Sequence, residues 1–202
     1  KVPGMLYGKI LYSSYPHAKI KSIDISKAEK LSGVKAVLTG YNIPSIKFGV
    51  YKDNVPLKAN KVCSLRDEIA AVAATDPDIA EEALNLIKVE YEILPAIFDP
   101  EEAMKEGAIL IHEEHVGGKE KKPTNVLNFP WRLIAGDVEE ARKNSAYVAE
   151  DRFKVTWVAH CCMGTSGCLA LFDLKNNLTM YSITQIPSLA QKDYIDALGA
   201  MG

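Results

Sequence analysis

Two stretches of the chain hold side chains that ligate metals or act as nucleophiles. The first is His112-Glu113-Glu114-His115. A zinc-binding helix of the protease kind needs histidines four apart on one face, with a glutamate beside the first. Here the histidines are three apart, and the stretch reads as a charged, solvated loop. The second is His160-Cys161-Cys162, followed by Cys168. Adjacent residues of a strand point to opposite faces, so Cys161 and Cys162 are poorly placed to share one metal. A nucleophilic cysteine needs a base within reach and an electropositive niche, and a neighbouring histidine in sequence supplies neither by itself. No Cys-x-x-Cys occurs, which argues against a structural zinc or iron–sulfur site. Cys63 and these three are read as free thiols packed in a core, in a reducing cytoplasm. Between them, Met163-Gly164-Thr165-Ser166-Gly167 lacks the lysine and spacing of a phosphate loop. Its glycines still permit close approach of backbone to a ligand. Ser182-Ile183-Thr184-Gln185 is a polar end to a β-rich run, with hydroxyls expected to be satisfied locally.

The elements that must position these groups fall into two parts. In the first, residues 5–13 and 18–25 read as strands interrupted at Pro16. Ser26, with Glu29 three residues on, reads as the cap of a short helix ended by Gly33, and 34–39 as another strand. Residues 42–61 read as an irregular surface excursion. Residues 69–74 form a continuous apolar run, expected of a strand buried on both faces. Thr75 or Asp76 caps the next helix, with Pro77 in its first turn and Ile79, Ala80, Ala83, Leu84 and Ile87 on its apolar face. Residues 88–94 alternate as a half-solvated strand. The simplest arrangement of this strand–helix–strand run places both strands in one sheet through a right-handed crossover.

The character changes after Asp99-Pro100. Gly117-Gly118, the charged 119–122 cluster, Pro123 and Pro130 read as a long connection. Asp137 caps a helix with Glu140 at the third position, ending near Asn144. Residues 147–158 read as a long strand, and 169–174 with 178–183 as a hairpin turning at Lys175-Asn176-Asn177. Ser188 reads as the cap of a last helix, with Gln191 at the third position, Leu189, Ile195 and Leu198 on its buried face and Gly199 at its end. Three strands and one helix make too thin a layer to stand alone, so this part is expected to need a partner or a continuation. The predicted organisation is a first domain at 1–104, a linker at 105–135 and an incomplete second domain at 136–202, in the α+β class.

Composition excludes several classes. The 202 residues are 48% hydrophobic and 25% charged, as in globular proteins rather than disordered or fibrous ones. The net charge is -2 with both signs mixed, so no basic stripe is offered to a nucleic-acid backbone. No apolar run is long enough to span a bilayer, and the first residues carry no apolar signal core.

Several stretches, in order, resemble the molybdenum-binding subunit of the xanthine dehydrogenase/aldehyde oxidase family. They are Pro3-Gly4-Met5-Leu6-Tyr7-Gly8-Lys9; Ser14-Tyr15-Pro16-His17-Ala18-Lys19-Ile20; Ser22-Ile23-Asp24 leading to 33–39; Asp67-Glu68-Ile69 with the alanine-rich run after it; and 80–83 with 87–100. In the second part, Gly136-Asp137-Val138-Glu139, 149–153 and Leu178-Thr179-Met180-Tyr181-Ser182 with Thr184-Gln185 and Pro187 are similar as well. The resemblance implies an α/β-hammerhead domain followed by the beginning of a larger molybdopterin-binding domain. It implies molybdopterin-bound molybdenum in the complete enzyme, with iron–sulfur clusters and FAD on partner domains or subunits. Members hydroxylate an N-heterocycle or aldehyde with oxygen from water; one branch reductively dehydroxylates an aromatic thioester, and another oxidises carbon monoxide.

The resemblance implies that Val158, His160 and Gly164 lie near the cofactor. Many members carry a glutamine two positions before the histidine that aligns with His160; Val158 stands there and cannot donate a hydrogen bond. Many carry an acidic residue where this chain has Gly164. The family's glycine-rich cofactor loop and its late catalytic glutamate have no counterpart within 1–202, so no catalytic residue is carried over. The implied partners are the remainder of the molybdenum subunit, an iron–sulfur subunit, a flavin subunit and a small-molecule substrate. The competing expectation is a non-catalytic, stand-alone interaction module with the hammerhead fold.

Overall fold

The computed structural model describes residues 2–49, 52–117, 122–126, 133, 135–156, 158, 159, 161 and 163–199. In chain order the first elements are β1 (Tyr7–Tyr12), β2 (Ala18–Asp24), α1 (Ser26–Glu29), β3 (Val34–Thr39), β4 (Lys61–Val62), β5 (Glu68–Ala74), α2 (Pro77–Leu86) and β6 (Lys88–Ile93). They are followed by α3 (Pro100–Ala103), the short ladder β7 (Val116–Gly117) and β8 (Lys122–Pro123), then α4 (Val138–Asn144), β9 (Cys168–Phe172), β10 (Leu178–Ser182) and α5 (Pro187–Gly199). The class is α+β. The chain separates into two compact units, residues 1–128 with 187–202, and residues 129–186.

The first unit carries two antiparallel three-stranded sheets, ordered β1-β5-β3 and β4-β2-β6. The crossover expected between β5 and β6 is therefore absent. Both edges of β5 are taken: Val72 pairs with Lys9 on one side and Val37 on the other. With no free edge beside it, β6 pairs instead with β2, Ala18 opposite Ile93 and Ile23 opposite Val89. Antiparallel pairing suits β6, since it leaves Lys88, Glu90 and Glu92 on a solvated face.

β5 explains why one unit has two cores. Side chains alternate along a strand. Ala70, Val72 and Ala74 enter a cluster with Ala28, Val37, Ala80, Ala83, Leu84 and Ile87, where α1 and α2 cover the first sheet. Ile69, on the opposite face, joins Ala18, Ile20 and Val62 of the second sheet. Small residues at 70, 74, 80 and 83 let α2 lie close on β5. Tyr15 and Tyr91 meet edge to face beside the second cluster, ring centres 5.1 Å apart.

Helix ends follow local chemistry, with two exceptions to the expected caps, at α1 and α5. Asp76 is extended and accepts the Asp78 amide at 2.8 Å, and Pro77 opens α2. Ser26 is not a cap: it is the first helical residue, and Asp24 accepts its amide at 2.9 Å. A carboxylate two residues back reaches that amide, and hydrogen bonds from the Ser26 hydroxyl and then its amide hold Asp24 below its ordinary range. The 42–61 stretch is irregular, as expected, yet it packs: Leu57 is buried, Phe48 bridges Asn54, and the Ile20 amide reaches Asn60 O at 2.7 Å. It passes so close to Gly40 that a Cβ there would lie 2.7 Å from Leu57 O and from Ala59 N.

Residues 103–111 are anchored by Asn125, which accepts the Ile111 amide at 2.9 Å and donates to Ile109 O and Ala103 O. Gly118, residues 119–121, Pro130 and Trp131 lie outside the described residues. α5 begins at Pro187, one residue before the expected cap, so Ser188 sits in its first turn. Leu189, Ile195 and Leu198 are exposed, contrary to expectation, and Ala190, Tyr194 and Ala197 are the half-buried side. Asp196, on the half-buried side, pairs with Lys52 at 2.9 Å and with Lys192 one turn earlier at 2.8 Å.

Candidate cofactor-facing segment

The segment expected from the resemblance to lie nearest a cofactor falls in the second unit, between α4 and the β9–β10 hairpin. α4 starts as its sequence requires: extended Asp137 accepts the Glu140 amide at 2.9 Å. Glu139 and Glu140 stand in the first turn and Arg142 and Lys143 in the last, each matched to the helix dipole. Arg142 also meets Glu150 at 3.0 Å. The hairpin pairs Leu178 with Phe172 and Ser182 with Cys168. Asp173 makes its turn by accepting the amides of Lys175 and Asn177, and Asn176 takes φ 59°. The Asn177 side-chain amide holds the Asp173 carboxyl below its ordinary range.

Between these elements the expected 147–158 strand does not form among the described residues. Residues 146–156 belong to no ladder; Phe153 is 88% and Val155 89% exposed. A strand needs a neighbour for its amides and carbonyls, and no described residue supplies one. Val158 is 80% exposed, and a Cβ on Gly164 would meet nothing within 4 Å. His160 and Cys162 lie outside the described residues. Cys161 (at φ 46°) and Cys168 are exposed, so the expected core packing of these thiols does not hold. Cys63 is half-buried, and burial pushes its thiol up. Thr184 Oγ accepts the Ile186 amide at 3.1 Å, as expected of a hydroxyl satisfied at a strand end.

The described residues of this segment do not fit a molybdopterin site by themselves. Val158 offers no hydrogen-bonding group, Gly164 no side chain, and both face open space. No chemical step is derived from them.

The His112–His115 stretch lies in the first unit as a turn, closed by the His115 amide on His112 O at 3.0 Å. Its members are engaged separately: Glu113 with Lys61 at 2.5 Å, His112 Nδ1 with Glu114 at 3.5 Å, and His115 Nε2 with Val126 O at 3.2 Å. The Lys61 ammonium holds Glu113 below its ordinary range.

One site is not apparent from the sequence. A cavity of about 370 Å³ in the first unit is lined by His17, Cys63, Phe98 and Ile111. A histidine directly before a strand is the only local signal of it, and the proline at 16 makes that position look like a simple chain break.

Family models match this chain twice, in order. Residues 1–95 match the aldehyde oxidase and xanthine dehydrogenase a/b hammerhead domain, and residues 119–201 match the molybdopterin cofactor-binding domain. The chain is similar to a probable xanthine dehydrogenase subunit of Bacillus subtilis, 40% identical over 185 residues, covering 91% of this chain and 24% of that one. It is similar to the nicotinate dehydrogenase large molybdopterin subunit of Eubacterium barkeri, 37% identical, covering 92% of this chain and 42% of that subunit. Among solved structures, the reconstituted CO dehydrogenase from Oligotropha carboxidovorans superposes with a TM-score of 0.82 at 32% identity, over 98% of this chain and 26% of that one. The chain thus spans between about a quarter and two fifths of the length of these relatives. With both domain models matched in sequence order and the fold shared with a solved molybdenum enzyme, the chain belongs to the xanthine dehydrogenase/aldehyde oxidase family, as the N-terminal part of its molybdopterin-binding subunit.

Proposed function

We propose that this chain is one component of a molybdenum hydroxylase that oxidises an N-heterocycle or aldehyde with water-derived oxygen, or reductively dehydroxylates an aromatic thioester. The observation that carries the reading is the second unit: residues 146–156 join no ladder among the described residues, and Tyr147, Val148, Phe153 and Val155 are exposed. Exposed apolar surface of that extent marks an interaction site. Residues 1–104 would form the hammerhead domain, 105–135 the connection, and 136–202 the beginning of the cofactor-binding domain. Val158, His160 and Gly164 would lie along one wall of the cofactor and substrate funnel, the group itself supplying the redox chemistry. The remaining parts of the site would come from the remainder of the molybdenum subunit, with iron–sulfur and flavin subunits carrying electrons onward in the cytoplasm. None of the described helices is long and apolar enough to cross a membrane.

The test is co-purification of this chain from its native cells, with mass spectrometry of accompanying polypeptides and a molybdenum assay. A cofactor-bearing polypeptide, an iron–sulfur protein and molybdenum are expected together. Recovery of the chain alone and metal-free from gently lysed cells would overturn the reading. It would favour a stand-alone module, for which the self-contained cores of the first unit are the supporting feature.

A further inference from the structure

No further inference is drawn: the strongest candidate, the apolar row of Ile10, Ala71 and Leu38 across the face of the β1-β5-β3 sheet opposite α2, exposes its two outer side chains, and nothing in the structure shows what covers it.

Discussion

The two units of this chain are built from similar residue types and differ in what lies across from them. In the first, β5 is flanked on both edges and covered on both faces, so its seven residues feed two cores. In the second, the stretch at 146–156, which carries Tyr147, Val148, Phe153 and Val155 among four charged residues, has neither a paired edge nor a covered face among the described residues. Hydrophobic alternation is thus a demand for burial and not a guarantee of it. The demand is met only where the chain also supplies the opposing surface.

Hydrogen exchange should separate the units most sharply. Amides of residues 69–74 are expected to exchange only through global opening, slower by several orders of magnitude than those of 146–156, which should exchange close to intrinsic rates. Protection of 146–156 on adding a candidate partner would identify what completes the second unit; equal protection in the isolated chain would erase the contrast. Core truncation comes next. Ile69→Ala, at a fully buried position, is expected to cost about 2–5 kcal/mol in denaturant unfolding, whereas Phe153→Ala in the second unit should stay within about 0.5 kcal/mol.

Glycine substitutions sharpen the same comparison. Gly40→Ala forces a Cβ to 2.7 Å from two backbone atoms and is expected to cost about 1–3 kcal/mol by overpacking. Gly164→Ala meets open space, and its unfolding midpoint should be unchanged in the isolated chain. A lowered midpoint for Gly164→Ala only within an assembled complex would place that position against a partner or cofactor. Thiol reactivity gives a smaller contrast: Cys161 and Cys168 should label readily, and Cys63, half-buried and with its thiol pushed up by desolvation, should label more slowly at neutral pH.

The smallest effect is electrostatic. Hydrogen bonds from Lys192 and Lys52 bring the Asp196 carboxyl down to about 2. A depressed carboxylate contributes stability above its unfolded value, near 3.8, and loses it as pH falls toward 2. Lys52→Ala should raise the Asp196 midpoint in a carboxylate NMR titration while leaving stability at neutral pH nearly unchanged, because the group is on the surface.

Much of the local structure was legible in the residues themselves. Asp76 with Pro77, Asp137, and the Asp173-to-Asn177 turn act through bonds to amides two to four residues away, so the sequence contains both partners. Strands β1, β2, β3, β5 and β6, the apolar face of α2 and the hairpin followed from local pattern for the same reason, whereas β4, β7 and β8 did not. The order of domains was legible through resemblance, and the two matched family models agree with it.

What tertiary structure decided is set by groups far apart in the chain. Whether β6 joined β5 depended on β1 and β3 having already taken both edges of β5, and no local pattern encodes that competition. The half-buried side of α5 carries Asp196, whose partner Lys52 lies 144 residues away. His17 looked like a residue in a strand-joining turn until Pro95, 78 residues later, claimed its Nδ1 and left its Nε2 buried and bare. The sequence by itself determined which segments seek strands, helices and burial, because those preferences act over a few residues. Pairing, burial and the unmet acceptor were decided by tertiary structure, because each depends on which distant surface arrives first and what it leaves unfilled.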